Sequence, residues 1–280
     1  EELEKTIVRD RDAGFLPSCV IGNAGTVNTG AVDPMDKLAD IASRNSMWFH
    51  VDAAYGGPAA ATSLARKLFV GMDRADSVAT DAHKWLYAPF ETGIAFVSNK
   101  ELLRKAFSVI PDYLRETNGA DRYDATEYHF QLSRNFKALK LWMAFKAYGS
   151  KLLREAIEEN IRSMTHFAGL VDASPEFERL APVPLSVVCF RYRTEDRMHW
   201  SDEAYLSLLN RKILADAEKD GRVFISGTLI SGKRALRACS VNHRTTYRHV
   251  EHLLDVIREI GNRVHISLIA DYARMNHKTN

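Results

Sequence analysis

Apolar and polar positions in the first hundred residues change period several times, and each change marks an element. "EELEKTIVRDRDAG" places Leu3, Ile7 and Val8 on one helical face and ends in Gly14, so it reads as a helix with a glycine stop. It has neither an initiator Met nor a signal-peptide core, and we expect further chain before it. "PSCVIGNA", "MWFHVD", "DSVATDA" and "GIAFVS" are short runs rich in β-branched and aromatic residues and read as strands. Between them "VDPMDKLADIASRN" has helical spacing, with Asp33 as N-cap and Pro34 at the first helical position, and "SLARKLFVGMD" reads as mostly helix. The alternation predicts an α/β layer around a largely parallel or mixed sheet, buried on both faces.

The pattern changes after residue 98. "NKELLRKAFSV" is a short helix, and "IPDYLRETNGADRYDATEYHF" is polar with no clear period, a long loop of the kind that is functional or disordered. Residues 135–172 are strongly helical, with a break expected near Gly149. Then come "LSVVCFRYR" (strand), "DEAYLSLLNRKILADAEKD" (helix), "GRVFIS" and "RALRACSV" (strands), "TTYRHVEHLLDVIREIGNRV" (helix) and a frayed tail over the last dozen residues. The predicted organisation is part of a large domain over 1–134, connecting helices over 135–172, and a smaller α+β domain over 173–280.

Composition narrows the function classes. The 280 residues are 46% hydrophobic and 26% charged, which is globular, and a net charge of +2 with interspersed signs gives no nucleic-acid footprint. No apolar run approaches the roughly 18 residues of a membrane span. Cys19, Cys189 and Cys239 lie far apart, which suits a reduced cytoplasmic interior and argues against a disulfide framework or a zinc site. "GTLISGKR" imitates a phosphate-binding loop, but Arg234 stands where a Ser or Thr would hold magnesium and a strand follows it, so it reads as a hairpin turn. His249 and His252 lack further ligands and read as a surface or interface pair.

The chemistry concentrates at two strand ends, in "HVDAAYGGPAA" and "DAHKW". In open α/β sheets ligands sit at the carboxyl ends of strands, so Asp52 and Lys84 fall where they can share one crevice. A lysine that forms a Schiff base needs apolar surroundings or a neighbouring cation to lose its proton. Pyridoxal 5'-phosphate supplies the matching aldehyde, and a buried carboxylate keeps its ring nitrogen protonated. Ala53 and Ala54 leave room for a flat ring. Singly, such an Asp is also a helix cap and such a Lys a surface charge; together at two strand ends they favour the cofactor. His50, two residues before Asp52, shares its face and is as consistent with a structural role as with a chemical one.

These motifs, with "RDRDAGFLPSCVIGNAGTVNTGAVDP", "IPDYLRE", "FQLSRNFKALKLWMAFKAYG" and "ALRACSVNHRTT", make the chain resemble the pyridoxal-phosphate-dependent amino acid decarboxylases of the aromatic L-amino acid decarboxylase group over nearly its whole length. The resemblance implies a fold-type-I enzyme, present as an N-terminally truncated fragment and working as a homodimer on a small amino acid substrate. It implies Lys84 as the Schiff-base lysine, Asp52 as partner of the pyridine nitrogen, Ala54 as the surface under the ring, His83 near phosphate and substrate, and Thr26 as a cofactor contact. Tyr113 matches a tyrosine on a mobile lid, here about residues 111–130, that donates a proton to the carbon left after CO2 departs. Arg134, after Ser133, is implied to lie close to the active centre, and a Ser at that place is found among relatives acting on phenolic substrates.

Departures from the family pattern are equally specific. Val27 stands where a second cofactor-facing threonine is common. Asp81 replaces an Asn that contacts phosphate in some relatives, so its carboxylate is expected to turn away or pair with a cation. The ring-stacking histidine and main phosphate loop of the family lie upstream of residue 1. The implied activity is α-decarboxylation of an L-amino acid, aromatic by preference, to the amine. The alternatives are an acidic substrate (glutamate, aspartate or cysteine sulfinate), an aldehyde synthase, or a non-catalytic remnant serving as an interaction module.

Overall fold

The structure, a computed structural model, describes residues 1–108, 125–194 and 199–276. Helix α1 (Glu2–Asp12) precedes strand β1 (Cys19–Asn23), helix α2 (Met35–Arg44) and strand β2 (Trp48–Asp52). Strand β3 (Ser77–Asp81) runs into the short helix α3 (Ala82–Trp85), followed by β4 (Gly93–Val97) and α4 (Lys100–Phe107). These strands form one sheet in the order β1-β2-β3-β4, parallel except that β4 runs against β3. All four strands coincide with the apolar runs read from the sequence.

Among the described residues, only one face of this sheet is covered. Val20, Phe49 and Val51 point to the side of α2 and are buried, while their alternates Cys19, Ile21 and Asp52 are exposed. The expectation of burial on both faces is therefore wrong for the described residues: the strands alternate, as in a sheet with one packed side. Two further expectations fail locally. Asp33 does not cap α2; its Oδ2 accepts from the Asn23 backbone N–H at 2.8 Å and from Asn23 Nδ2 at 3.0 Å, satisfying the end of β1 instead. The link from β2 to β3 is not an α-helix but three short 3-10 segments, Gly57–Ala61, Arg66–Phe69 and Met72–Arg74, the first with Pro58 at its start.

Helix α5 (Lys137–Ala173) is interrupted at Gly149, whose φ of 72° no helix accommodates. Its C-terminal half packs under a second, antiparallel sheet in the order β5-β6-β8-β7, built from β5 (Phe177–Arg179), β6 (Val187–Tyr192), β7 (Ser226–Ile230) and β8 (Lys233–Cys239). Helices α6 (Glu203–Asp220) and α7 (Tyr247–Asn276) complete that layer. Asp202 caps α6 by accepting from the Tyr205 N–H at 2.9 Å. The "GRVFIS" strand starts only at Ser226, five residues after the run begins, and β5 was not foreseen. Helix α7 continues to Asn276, through most of the tail expected to fray. The phosphate-loop look-alike is the β7–β8 hairpin, with Ser231 at φ 48° and Gly232 at φ 82° as its two turn residues.

One core fills the space between α5, α6, α7 and the second sheet around Phe167, Phe190, Leu206 and Ile257. The other lies under the first sheet and also takes in Leu185, Val187 and Cys189 from the strand region of β6. The two sheets thus share packing, and the carboxyl ends of β2 and β3 point at that shared zone.

Candidate active site

Asp52 is the last residue of β2, and register places it beside Asn23 of β1 and Ala79 of β3. Side-chain alternation then puts Asp52, His50, Ser77, Ala79 and Asp81 on the open face. Lys84 follows one turn beyond β3, within α3. The backbone stays paired past the strand ends: Ala24 N–H donates to Asp52 O, Ala53 N–H to Ala79 O, and Asp81 N–H to Ala54 O.

Three successive hydrogen bonds connect the two groups singled out from the sequence. Ala54 N–H donates to Asp52 Oδ1 at 3.1 Å, Ala54 O accepts from Asp81 N–H at 3.2 Å, and Lys84 Nζ donates to Asp81 Oδ2 at 2.9 Å. Asp52, Ala54, Asp81 and Lys84 therefore occupy one edge of one sheet. Asp81 does pair with a cation, and that cation is Lys84. The neighbour facing the lysine amine is an anion, where the sequence reading expected apolar surroundings or a second cation. Asp52 is also exposed, not buried, because it lies on the uncovered face.

His83 is held from the other side. Thr92 N–H donates to its Nδ1 at 3.0 Å, the ring meets Phe90 edge-on with centroids 4.9 Å apart, and Nε2 lies 3.9 Å from Asp81 Oδ2. Nδ1 lies equally near Thr92 O, at 3.0 Å, where it would donate instead, so the Thr92 peptide groups hold the ring in either tautomer. On the open face Trp48 Nε1 donates to Ser77 Oγ at 2.8 Å, and His50 Nδ1 shares that hydroxyl at 2.7 Å. The indole can only donate, so the serine oxygen accepts from it and keeps a second hydrogen bond with His50.

The residues just beyond Asp52 and Lys84 fix the site from beneath. Tyr55 stacks on Trp85 with centroids 5.0 Å apart and planes at 12°, and Trp85 is fully buried. Tyr55 also accepts from Ser186 N–H at 3.0 Å and shares a 2.7 Å hydrogen bond with Ser186 Oγ; burial pushes its phenol well above the usual range. The loop after β1 closes against this layer through two glycines. A Cβ on Gly56 would lie 2.2 Å from Ala24 O, and Gly25, at φ 102°, would put one 2.8 Å from the Tyr55 ring. Thr26 Oγ1 bonds Thr29 Oγ1 at 3.1 Å and accepts from Ala31 N–H at 3.2 Å. Arg237 Nε of β8 reaches across to Val27 O at 2.9 Å and Asn28 O at 3.1 Å, so the second sheet holds the Thr26 loop by its carbonyls. Val27 itself is exposed.

Tyr113 and the 111–124 part of the expected lid lie outside the described residues. Arg134 lines a separate polar cleft with Glu91, Gln131, Ser133, Asn135 and Lys137, where Lys137 Nζ meets Glu91 Oε1 at 2.6 Å and holds that carboxyl below its ordinary value. Asp81 was expected beside the site, but Ser77, Arg237 and the residues behind Trp85 were not singled out as site-builders beforehand. Strand alternation reveals Ser77, whereas Arg237 becomes visible only once the second sheet is folded against the first. His249 Nδ1 accepts from Thr246 N–H at the start of α7, and among the described residues no three His, Cys, Asp or Glu side chains gather as metal ligands.

A primary amine, a carboxylate, an imidazole and a hydroxyl loop converge on one sheet edge beside the small side chain of Ala54. That donor set suits a flat heteroaromatic aldehyde, which takes an amine for its aldehyde carbon, an acid for its ring nitrogen and small side chains beside its ring. Residues 1–193 match the pyridoxal-dependent decarboxylase conserved domain. The chain is 34% identical over 267 residues to an aromatic-L-amino-acid decarboxylase of Bacillus atrophaeus, covering 95% of this chain and 55% of that protein. It is also 34% identical to a phenylacetaldehyde synthase of Arabidopsis thaliana, covering 92% of this chain and 52% of the relative. Among solved structures, Oryza sativa TDC with PLP and tryptamine superposes with a TM-score of 0.87 at 30% identity, over 93% of this chain and 54% of that one. The chain spans about half the length of the relatives it matches.

Proposed function

Because the chain belongs to the pyridoxal-dependent decarboxylase family, we propose that the protein removes the α-carboxylate of an L-amino acid, aromatic by preference, as CO2 and releases the amine. The observation that carries this reading is the run of hydrogen bonds from Asp52 through Ala54 and Asp81 to Lys84 at the ends of two adjacent parallel strands. When bound, pyridoxal 5'-phosphate supplies an electron sink for the bond that breaks. This chain's own residues do the rest. Lys84 would hold the aldehyde, giving up its pairing with Asp81. Asp52 would keep the ring nitrogen protonated, Ala54 would leave room for the ring, and His83 stands beside Asp81 with Nε2 3.9 Å from its carboxylate. Tyr113 returns a proton to the substrate carbon after CO2 has left.

The same proposal includes a homodimer and a cytoplasmic location; the three free thiols, Cys19, Cys189 and Cys239, support a reducing compartment. Product analysis by mass after incubation with L-tryptophan, L-tyrosine, L-phenylalanine, L-glutamate and cysteine sulfinate is the test. Amine plus CO2 from an aromatic substrate is the expected result. Aldehyde with ammonia and peroxide replaces the decarboxylase by an aldehyde synthase, the activity of the Arabidopsis relative. Turnover of an acidic substrate alone changes the substrate class. A protein that stays colourless with added pyridoxal 5'-phosphate is a non-catalytic remnant.

A further inference from the structure

Asn160 interrupts the apolar stripe of α5, lying between Ile157, Ile161 and Met164, and is 1% exposed. A carboxamide buried to that degree needs hydrogen-bond partners for its polar atoms. Its Oδ1 accepts from Trp85 Nε1 at 3.1 Å and from Tyr87 Oη at 2.9 Å, and its Nδ2 donates to Asn242 O at 2.8 Å. The chemistry fixes this orientation. An indole N–H only donates and a peptide carbonyl only accepts, so the amide cannot be turned over without losing both.

The two donors on Oδ1 flank the exit from the Lys84 turn. Trp85 is the residue after Lys84 and also carries the stack with Tyr55, three residues past Asp52. Tyr87 sits at φ 54°, a left-handed backbone that a bulky residue keeps only when its surroundings hold it there. The Tyr87 ring also meets His243 edge-on, with centroids 5.3 Å apart, next to the Asn242 carbonyl that Asn160 binds. One buried amide thus pins both exit residues of the lysine turn to α5 and to the segment after β8.

We propose that Asn160 is a positioning residue for Lys84, setting the direction from which the lysine amine meets the pyridoxal aldehyde. The proposal rests on Lys84 being the aldehyde-bearing lysine. Misplacing a reacting group by about 1 Å costs on the order of 100-fold in rate. Asn160 touches neither cofactor nor substrate and acts only through Trp85 and Tyr87.

The test uses the protein mixed with pyridoxal 5'-phosphate, borohydride trapping, and peptide mass to locate the label. Asn160→Leu keeps the shape and removes all three hydrogen bonds; Tyr87→Phe removes one hydroxyl and leaves the fold undisturbed. We expect trapping at Lys84 to slow about 100-fold in Asn160→Leu and about 10-fold in Tyr87→Phe. We also expect the pH midpoint of the visible absorbance band to move in both variants. Unfolding in urea is followed in parallel. Variants that lose urea resistance but keep the wild-type trapping rate and pH midpoint make Asn160 a purely structural residue and overturn the proposal. If Asn160→Leu fails to fold, Tyr87→Phe alone decides it. Wild-type protein that acquires no label at Lys84 overturns the cofactor assignment itself, and this proposal with it.

Discussion

Tyr55 and Trp85 lie face to face, 5.0 Å apart and 12° from parallel, and each is tethered to a different half of the site. Tyr55 leaves the strand that ends in Asp52, and Trp85 follows Lys84. The stack therefore fixes the separation of carboxylate and amine by packing, without either charged group taking part. Such an aromatic pair contributes about 0.5–1.5 kcal/mol beyond its buried area. It sits on Ser186 and Asn160, so both tethers end in the part of the chain beyond residue 150.

Tyr55→Phe keeps the stack and deletes the hydroxyl that accepts from the buried Ser186 N–H. Leaving that donor unpaired costs about 1–3 kcal/mol. Urea unfolding followed by tryptophan fluorescence is the measurement; a midpoint equal to wild type means that another acceptor takes over from the phenol.

Lys84→Ala separates chemistry from stability. The Asp81 partner is partly exposed and so is the amine, so losing the pair changes unfolding free energy by less than about 1 kcal/mol. Covalent attachment of pyridoxal 5'-phosphate disappears completely. Residual label after borohydride at another lysine, with full turnover retained, assigns the cofactor elsewhere.

Asp52→Asn retains the acceptor for Ala54 N–H and removes the charge. Pyridoxal 5'-phosphate still binds, while kcat falls about 100- to 1,000-fold, the range for losing one group that stabilises developing charge. Steady-state kinetics beside an absorbance titration separates the two effects, and an unaltered kcat removes Asp52 from the reaction.

Acid sensitivity comes from the second sheet. Burial pushes the Glu178 carboxyl up, but the hydrogen bond from Arg191 at 2.7 Å and its charge, helped by Lys233 and Arg193, outweigh that and hold it below its ordinary value. A carboxyl held low by the folded state adds stability that is complete above about pH 4.3 and is lost as pH falls through the lower folded value. Urea midpoints measured from pH 6 to pH 3 should drop on the acid side, and less steeply in Glu178→Gln. Parallel curves for the two proteins show that other carboxyls account for the drop.

Strand positions were legible because β1 to β4 each concentrate β-branched and aromatic residues between turn residues, and the registers leave Asp52 and Lys84 at neighbouring ends. Burial of the sheet was misread because alternation in "CVIGN" and "WFHVD" is masked by Ile21 and Trp48, apolar residues that sit on the uncovered side. The Asp33 cap failed for a related reason: Asn23 offers the carboxylate two donors at once, and local sequence does not show that competition. Asn160 had a readable trace, a lone amide in the stripe Leu153, Ile157, Ile161 and Met164, but its partners are more than seventy residues away. Arg237 had none, since its targets are main-chain carbonyls about two hundred residues earlier.

The bare side of the first sheet carries Asp52 in the same row as Asn23 and Ala79, one step along from Ile21 and His50. Whatever comes to rest on that surface dries Ile21 and Asp52 together, because they share one exposed strip. The hydration of the proposed proton-holding carboxylate is thus tied to the exposure of the whole strip, Ile21 included.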